Sequence, residues 1–344
     1  MPMGGGLSFM LSASPAAQGS SIVRAAPSTQ VTSGMRIPSA SFLEALAHIP
    51  VLRLQFAHRF AHATKLPPFK GGLWHGLLGA SLHDVSESAF QCLFAPDQSR
   101  RLWTLRAPLQ HDVRIPSGTE LDAELILFGD AVAHSNACID AFARMGERGF
   151  GAKEGRLPAT VTGIAQTGQN GKLFPVGSCE CRTLSLNELV ASTASEVATD
   201  HGLRVELLSP LHLSAYGQLV KHPPGMELLL RRLLGRLRQL GPATSEFQQA
   251  IHSEVNLLLE RAAQVELVDG LITHWRWNRY SARQHRTMPL EGIQGTLTYG
   301  APAAWLYPWL KLAEWTHLGA KTSFGLGAVR IEPHPSVSAH HSDS

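Results

Sequence analysis

The sequence predicts an α+β protein made of two tandem ferredoxin-like (RRM-like) domains, with a helical insertion in the second. From Val51 to about residue 165, the apolar residues follow the order strand, helix, strand, strand, helix, strand, which is the ferredoxin-like plan. The same order recurs in the second half, and 344 residues suffice for two domains of ordinary size. The predicted boundaries are a disordered tail at 1–36, domains at 37–165 and 166–333, and a disordered tail at 334–344.

The first half contains every element of that plan. Val51 to Phe56 alternates as a strand, and a loop with two prolines follows it. Leucines at helical spacing then predict a helix that starts near Lys70. The remaining elements are strands over 101–107 and 121–128, a helix over 131–145, and a strand reached through the glycines of 147–164.

The second half repeats the plan with an addition. Leu203 to Ala215 is predicted as a strand, and Pro223 and Pro224 introduce a helix whose leucines form one stripe. The later elements are a helix over 247–262, paired strands over 265–280, a strand over 290–299, a helix with Pro308 in its first turn, and a final strand.

Composition limits the kinds of protein that this chain can be. The formal net charge is +3 and hydrophobic residues make up 44%, so a polyanion would have to be bound by local basic clusters. Cys179 and Cys181 form a C-x-C pair without a second pair at zinc-finger spacing, so reduced thiols are expected, with no metal site and no cofactor. No apolar run approaches the length needed to span a membrane, which predicts a cytoplasmic protein.

The segment Trp315 to Ile331, WTHLGAKTSFGLGAVRI, combines a helix end, a glycine-rich loop and a short strand. Gly319 suits a left-handed helix cap, and Gly325 and Gly327 remove side chains where a ligand would approach the backbone. The bare N–H groups of the loop, with Lys321, Thr322 and Ser323, would form a concavity suited to phosphates. The alternative is a tight turn that only the fold requires.

Two arginine clusters could bind a polyanion. The first lies on the predicted helix at 226–240, where few acidic residues offset the arginines, although such helices often present only a solvated face. The second interleaves with Trp275, Trp277 and Tyr280, which could stack on bases or bury one face of a strand. The clusters are Arg231, Arg232, Arg236 and Arg238 in the first, and Arg276, Arg279 and Arg283 in the second.

Three segments resemble one known family. The glycine-rich loop LGAKTSFGLG, the helix entry PFKGGLWHGLLG and the turn GFGAKEGRL are similar to those of the CRISPR repeat-processing endoribonucleases of the repeat-associated RAMP superfamily. The resemblance covers roughly residues 50 to 332. It implies metal-independent cleavage of CRISPR precursor RNA within its repeats, by attack of a 2′-hydroxyl on the adjacent phosphate, which leaves a 2′,3′-cyclic phosphate and a 5′-hydroxyl.

The resemblance also implies partners and leaves alternatives open. CRISPR repeat RNA is the expected partner, and other CRISPR effector subunits are allowed, whereas no membrane or small-molecule cofactor is expected. A non-catalytic RAMP subunit that holds guide RNA remains an alternative. So does a generic ferredoxin-like RNA-binding protein, which would carry aromatic residues on its central strands.

The same resemblance points to catalytic residues on or near the first helix. His75 matches best, His83 at the helix end comes second, and His58 and His62 in the preceding loop come third, with Lys70 as a cation for the phosphate. Histidine suits both proton-transfer roles because its ordinary pKa lies near neutrality. His75 could equally be a structural imidazole. The histidines interpreted as structural are His111, His134, His274 and His317.

Overall fold

The computed structural model describes residues 38–95, 100–151, 155–177, 181–193, 201–281, 286–301 and 303–335, excluding the side chains of 279–281 and 286–288. The predicted tail at 1–36, most of the tail at 334–344, Cys179 and Arg283 lie outside these residues, as does the side chain of Arg279.

The first half forms one antiparallel sheet with helices packed against it. Its strand order is β3-β5-β1-β6, with β7 at the edge and β8 paired to β1, which is the ferredoxin-like arrangement. Phe56 of the sheet stacks on Phe142 of α4 with ring centroids 3.7 Å apart. The elements are α1 (Ala40–Ala47), β1 (Pro50–Phe60), β2 (Thr64–Lys65), α2 (Gly71–Val85), α3 (Glu87–Phe94), β3 (Trp103–Arg106), β4 (Arg114–Ile115), β5 (Glu120–Phe128), α4 (Ser135–Arg148), β6 (Ala159–Thr167), β7 (Leu173–Pro175), β8 (Leu184–Ser185) and α5 (Leu186–Ala191).

The first strand is longer than predicted, and this corrects the position of His58. The strand continues from Phe56 to Phe60 because the alternation of buried residues continues, which places His58 in the core rather than in a loop. The His58 Nε2 lies 3.3 Å from the Phe142 carbonyl oxygen, and burial lowers the pKa of the imidazole to about 4. His58 is therefore a core residue and not a candidate for proton transfer.

The second half has the same topology. Its four-stranded antiparallel sheet has the order β12-β13-β9-β14, and the plan's first helix is replaced by the pair α6 and α7, which accounts for the predicted helical insertion. The elements are β9 (Gly202–Leu211), β10 (Ser214–Ala215), β11 (Gln218–Leu219), α6 (Met226–Leu240), α7 (Ser245–Ala262), β12 (Leu267–Ser281), β13 (Arg286–Tyr299), α8 (Tyr307–Lys311), α9 (Ala313–Thr316) and β14 (Val329–His334).

The prediction of paired strands within 265–280 is wrong. The Asp269–Gly270 dipeptide, which is typical of a turn, lies at a register irregularity near the start of β12, and that strand continues to Ser281 to pair with β13. This hairpin packs on the first half of the chain. Trp277 packs against Phe69 at 4.4 Å between ring centroids, and the Trp275 ring stacks on His111 at 4.8 Å.

Charged residues of the first sheet connect it to helix α9 of the second half. Glu124 on β5 is buried and pairs with Arg106 and with Arg53, whose Nη2 lies 2.6 Å from the carboxylate. The Arg53 guanidinium also lies over the Trp315 ring at 5.3 Å and donates to the Glu314 carbonyl oxygen at 3.4 Å. One hydrophobic core also contains residues of both halves, including Val51, Ile126 and Leu207.

Within the described part of the chain, no helix has both the length and the apolar character needed to cross a membrane. The described cysteines, Cys92, Cys138 and Cys181, form no disulfide bond.

Candidate nucleic-acid interface

The glycine-rich loop follows α9, and several residues along it have backbone conformations with positive φ angles. His317, Gly319, Lys321, Gly325 and Gly327 all have positive φ angles, between 56° and 81°. A Cβ atom at Gly319 would lie 2.4 Å from the His212 carbonyl oxygen, and one at Gly327 would lie 1.9 Å from that of Leu318. Glycine is therefore required at these two positions both by backbone conformation and by close packing.

Backbone hydrogen bonds hold the loop against the end of β9. The Ala320 N–H donates to the His212 carbonyl oxygen at 2.9 Å, and the Gly327 N–H donates to that of Pro210 at 3.0 Å. Within the loop, the Gly325 N–H donates to the Thr322 carbonyl oxygen. The expectation of a loop with bare N–H groups is thus wrong for Ala320, Gly325 and Gly327.

The loop and helix α6 enclose a basic cavity of about 450 Å³. Five cationic side chains line it, and none of the lining residues that the structure describes is Asp or Glu. The cavity brings together the first part of the glycine-rich loop, from Gly319 to Ser323, and three of the predicted arginines, whereas Gly325 and Gly327 do not line it. The lining residues include Arg101, His212, Arg231, Arg232, Arg236, Gly319, Lys321, Thr322 and Ser323.

The arginines of the cavity are held in place in different ways. Arg232 donates to the Ser214 carbonyl oxygen, and Arg231 pairs with Glu227 at 2.5 Å. Arg236 is buried, donates to the Trp103 carbonyl oxygen at 3.3 Å, and has an Nε without a hydrogen-bond partner among the described residues. Burial lowers the pKa of Arg236 to about 10, so the guanidinium stays protonated at neutral pH. Arg236 is therefore not part of a solvated helix face.

Two predicted RNA-binding arginines lie outside the cavity. Arg238 donates to Gln248 of α7 at 3.0 Å, and Arg276 is exposed on β12, where it is paired in register with Glu291. Neither lines the cavity. Trp275 and Trp277 pack on His111 and Phe69, so these rings are used in contacts within the protein.

His75 links the first half of the chain to this loop. Its Nδ1 lies 2.9 Å from the Ser323 carbonyl oxygen, and its half-buried ring stacks on Phe324 at 3.7 Å and on Trp103 at 5.5 Å. Helix α2 can approach the loop because Gly71 has no side chain: a Cβ there would lie 1.9 Å from the Phe324 carbonyl oxygen. The structure therefore brings His75 and Ser323 together.

The other candidates of the first half do not join this contact. His83 is exposed at the end of α2, with its Nε2 3.7 Å from a Glu87 carboxylate oxygen, and lies about 12 Å along the helix from His75. Lys70 is buried and donates to the carbonyl oxygens of Gln110 and Asp112 at 2.5 and 3.1 Å, and burial lowers its pKa. His62 is exposed in the turn after β1.

Among the residues interpreted as structural, His317 is buried. Its Nδ1 lies 3.1 Å from the Leu326 carbonyl oxygen, and burial lowers its pKa to about 3.

Sequence reasoning missed two residues of the cavity. His212 follows β9 directly and was predicted to lie inside a strand, and Arg101 was predicted to lie in the strand over 101–107. Nothing in the local sequence of either residue indicates a site, because Arg101 reaches the cavity only through the packing of the two halves and His212 only through its backbone pairing with the glycine-rich loop.

Comparison with known proteins shows which families and folds this chain resembles. Residues 205–329 match the family model described as CRISPR-associated endoribonuclease Cas6, and residues 49–185 match a model of an N-terminal domain. No curated protein sequence matches the chain.

Solved structures share the fold at low sequence identity. A Cas6 product complex has a TM-score of 0.56 and 18% identity, over 82% of this chain and 100% of that chain. Thermus thermophilus Cas6 has a TM-score of 0.51 and 16% identity, over 83% and 99%. A partial Cas6-RT-Cas1–Cas2 complex has a TM-score of 0.58 and 13% identity, over 87% of this chain, which spans about half (48%) of the matched chain.

The fold and the basic cavity define a protein with two ferredoxin-like sheets whose carboxy-terminal glycine-rich loop borders a basic cavity. More particularly, residues 205–329 match the Cas6 family model, which confirms the predicted resemblance to the CRISPR repeat-processing endoribonucleases.

Proposed function

We propose that this protein is an endoribonuclease that cleaves CRISPR precursor RNA within its repeats. The 2′-hydroxyl of the RNA would attack the adjacent phosphate without a metal ion, leaving a 2′,3′-cyclic phosphate and a 5′-hydroxyl. The observation that carries the proposal is the 2.9 Å contact between His75 Nδ1 and the Ser323 carbonyl oxygen. It places an imidazole beside a loop that lines the basic cavity.

The cavity supplies the charge that RNA binding requires. Lys321 and the arginines of α6 line one concave surface, and no described carboxylate in the lining opposes them. Arginine and lysine bind phosphates largely independently of base sequence, which fixes the RNA strand relative to the protein. We assign the phosphate-binding role to these cations rather than to Lys70, whose ammonium is bound by two backbone carbonyls.

His75 is proposed to transfer a proton at the scissile phosphate. When its Nδ1–H donates to the Ser323 carbonyl, the neutral ring has its acceptor at Nε2, which is the form that a general base needs. The imidazolium formed could return the proton to the leaving 5′-oxygen. The stacking of the ring on Phe324 would keep its orientation fixed during the reaction.

Cleavage of repeat RNA in EDTA tests this proposal. We expect one cut per repeat with a cyclic phosphate product, and His75→Ala should slow cleavage about 100-fold while affinity changes little. His252→Ala, on the exposed face of α7, is the matched control and should cleave normally. If His83→Ala abolishes cleavage and His75→Ala does not, the catalytic assignment moves to His83.

A non-catalytic RAMP subunit that holds guide RNA is the second candidate. The observation that favours it is the packing of the His75 ring between Phe324 and Trp103, because such packing also suits a structural imidazole. Tight binding of repeat RNA without cleavage, by both the unmodified protein and His75→Ala, would support this candidate.

We propose CRISPR repeat RNA as the main partner and other CRISPR proteins as further partners. The structural match to a chain of a Cas6-RT-Cas1–Cas2 complex supports the proposal that other CRISPR proteins are partners. Co-purification of the protein with CRISPR proteins of the same organism would test this association.

A further inference from the structure

His212 occupies a fixed position on the wall of the basic cavity. Its Nδ1 lies 2.6 Å from the Glu291 carbonyl oxygen on β13, and its own carbonyl oxygen accepts the Ala320 N–H from the glycine-rich loop at 2.9 Å. The residue is thus tied to both β13 and the loop. Because the backbone carbonyl can only accept, His212 Nδ1 must carry the hydrogen.

The tautomer determines what the second ring nitrogen can do. With the hydrogen on Nδ1, the Nε2 of neutral His212 carries a lone pair, and no described residue hydrogen-bonds to it. A lone pair repels the oxygen of a phosphate. A protonated Nε2 would instead donate a charge-assisted hydrogen bond to that oxygen.

Charged groups from four segments line the cavity or lie beside the ring. Lys321 of the loop and the arginines of α6 line the same cavity, with Arg101 from the segment before β3. Glu291 of β13 contributes its carbonyl and a carboxylate that lies 3.5 Å from His274 Nε2. Burial lowers the pKa of His212, Lys321 lowers it further, and both groups of Glu291 raise it, with a net shift below the ordinary value.

We propose that His212 is a phosphate-binding residue of the RNA site and takes up a proton from solvent at Nε2 when an RNA phosphate enters the cavity. This inference rests on the proposed function for the presence of RNA. The phosphate would offset the charge of Lys321 and would accept the new N–H, so that the bound state favours the protonated imidazole. One proton is bound per complex, and no covalent bond forms or breaks.

The direction of the pH dependence follows from this coupling. In the free protein the pKa of His212 lies below its ordinary value, and in the complex it is raised. Affinity for RNA is therefore highest at low pH and falls as the pH rises from the free-state pKa to the bound-state pKa. Below the free-state pKa both states are protonated, and this contribution becomes constant.

The test measures RNA affinity between pH 5.5 and 8.5 at constant ionic strength. The probe is repeat RNA with 2′-deoxyribose at the mapped cleavage position, or unmodified RNA if no cleavage occurs. His212→Asn is the variant, because the Asn amide can keep the hydrogen bond to the Glu291 carbonyl while Nε2 is lost. We expect affinity to fall about 10-fold more from pH 6 to pH 8 in the unmodified protein than in His212→Asn.

His252→Asn on α7 is the matched control and should retain the full pH dependence. Identical pH profiles for the unmodified protein and His212→Asn would overturn the inference while leaving the proposed function intact. If the unmodified protein binds no repeat RNA at any pH, both the inference about His212 and the proposed function are wrong.

A second measurement uses the unmodified protein and needs no variant. The Cε1–H resonance of His212 can be titrated by NMR with and without the RNA, and its apparent pKa should rise by about one unit or more on binding. An unchanged pKa would contradict the proposal.

Discussion

At the scale of single residues, the glycine-rich loop depends on positions where a side chain cannot fit. Gly327 has a φ of 74°, and the Leu318 carbonyl oxygen lies so close to it that a Cβ atom would not fit. Its N–H also anchors the loop to Pro210. A change at Gly327 should therefore affect folding as well as the cavity.

We predict that Gly327→Ala lowers the free energy of unfolding by more than about 2 kcal/mol, because it adds strain at positive φ to a steric clash. Urea denaturation followed by circular dichroism measures this. Gly76→Ala on α2 is the control, since a Cβ there contacts nothing within 4 Å, and it should be neutral or slightly stabilising. Equal midpoints for the two variants would show that the loop can move to accept a side chain.

Single residues also show where sequence reasoning succeeds and fails. The resemblance pointed to His75 on the first helix, and the structure brings this residue into contact with the glycine-rich loop. His58 was predicted to lie in a loop because no local signal in the sequence marks the end of β1, which continues to Phe60. His212 was missed because its hydrogen-bond partner, Glu291, is 79 residues away along the chain.

At the scale of elements, helix α6 shows why a cluster in sequence need not be a cluster in space. Arg231, Arg232 and Arg236 line the cavity, but Arg236 is buried and donates to the Trp103 carbonyl oxygen, and Arg238 is bonded to α7. The helical period alone cannot separate these roles, because the position of α7 decides which arginine remains available. The double-domain topology itself was predictable from the alternation of strand and helix periods.

We predict that Arg231→Ala combined with Arg232→Ala weakens RNA binding and reduces the slope of log K against log salt by about 1.4, because two phosphate contacts to a single strand are lost. Affinity measured over a range of salt concentrations gives this slope. Arg238→Ala, on the same helix but outside the cavity, should leave it unchanged. A slope that responds to Arg238 and not to the pair would place the RNA on the other side of α6.

At the scale of the whole molecule, a buried ion-pair network helps to hold the two halves together. The buried Glu124 carboxylate pairs with both Arg53 and Arg106, and Arg53 extends to Trp315 and Glu314 in the second half. Removing the carboxylate would leave two arginines in the interface without their counter-ion. Such a change costs more than the loss of an exposed ion pair.

We predict that Glu124→Ala destabilises the protein by about 3 to 5 kcal/mol in urea denaturation. Glu206→Gln is the control: its partner is Arg330 in an exposed pair, and it should change stability by less than about 1 kcal/mol. A small effect of Glu124→Ala would mean that water enters the interface and solvates both arginines.

The basic cavity has a further consequence for how the protein meets RNA. Thirty Lys and Arg residues nearly cancel 27 Asp and Glu residues over the chain, yet the described cavity lining contains cations and no carboxylate. Such an uneven distribution concentrates positive potential at the cavity without a large overall charge. At physiological ionic strength its field extends only about 8 Å from the surface, so it would orient an approaching strand during the last steps of encounter rather than attract it from afar.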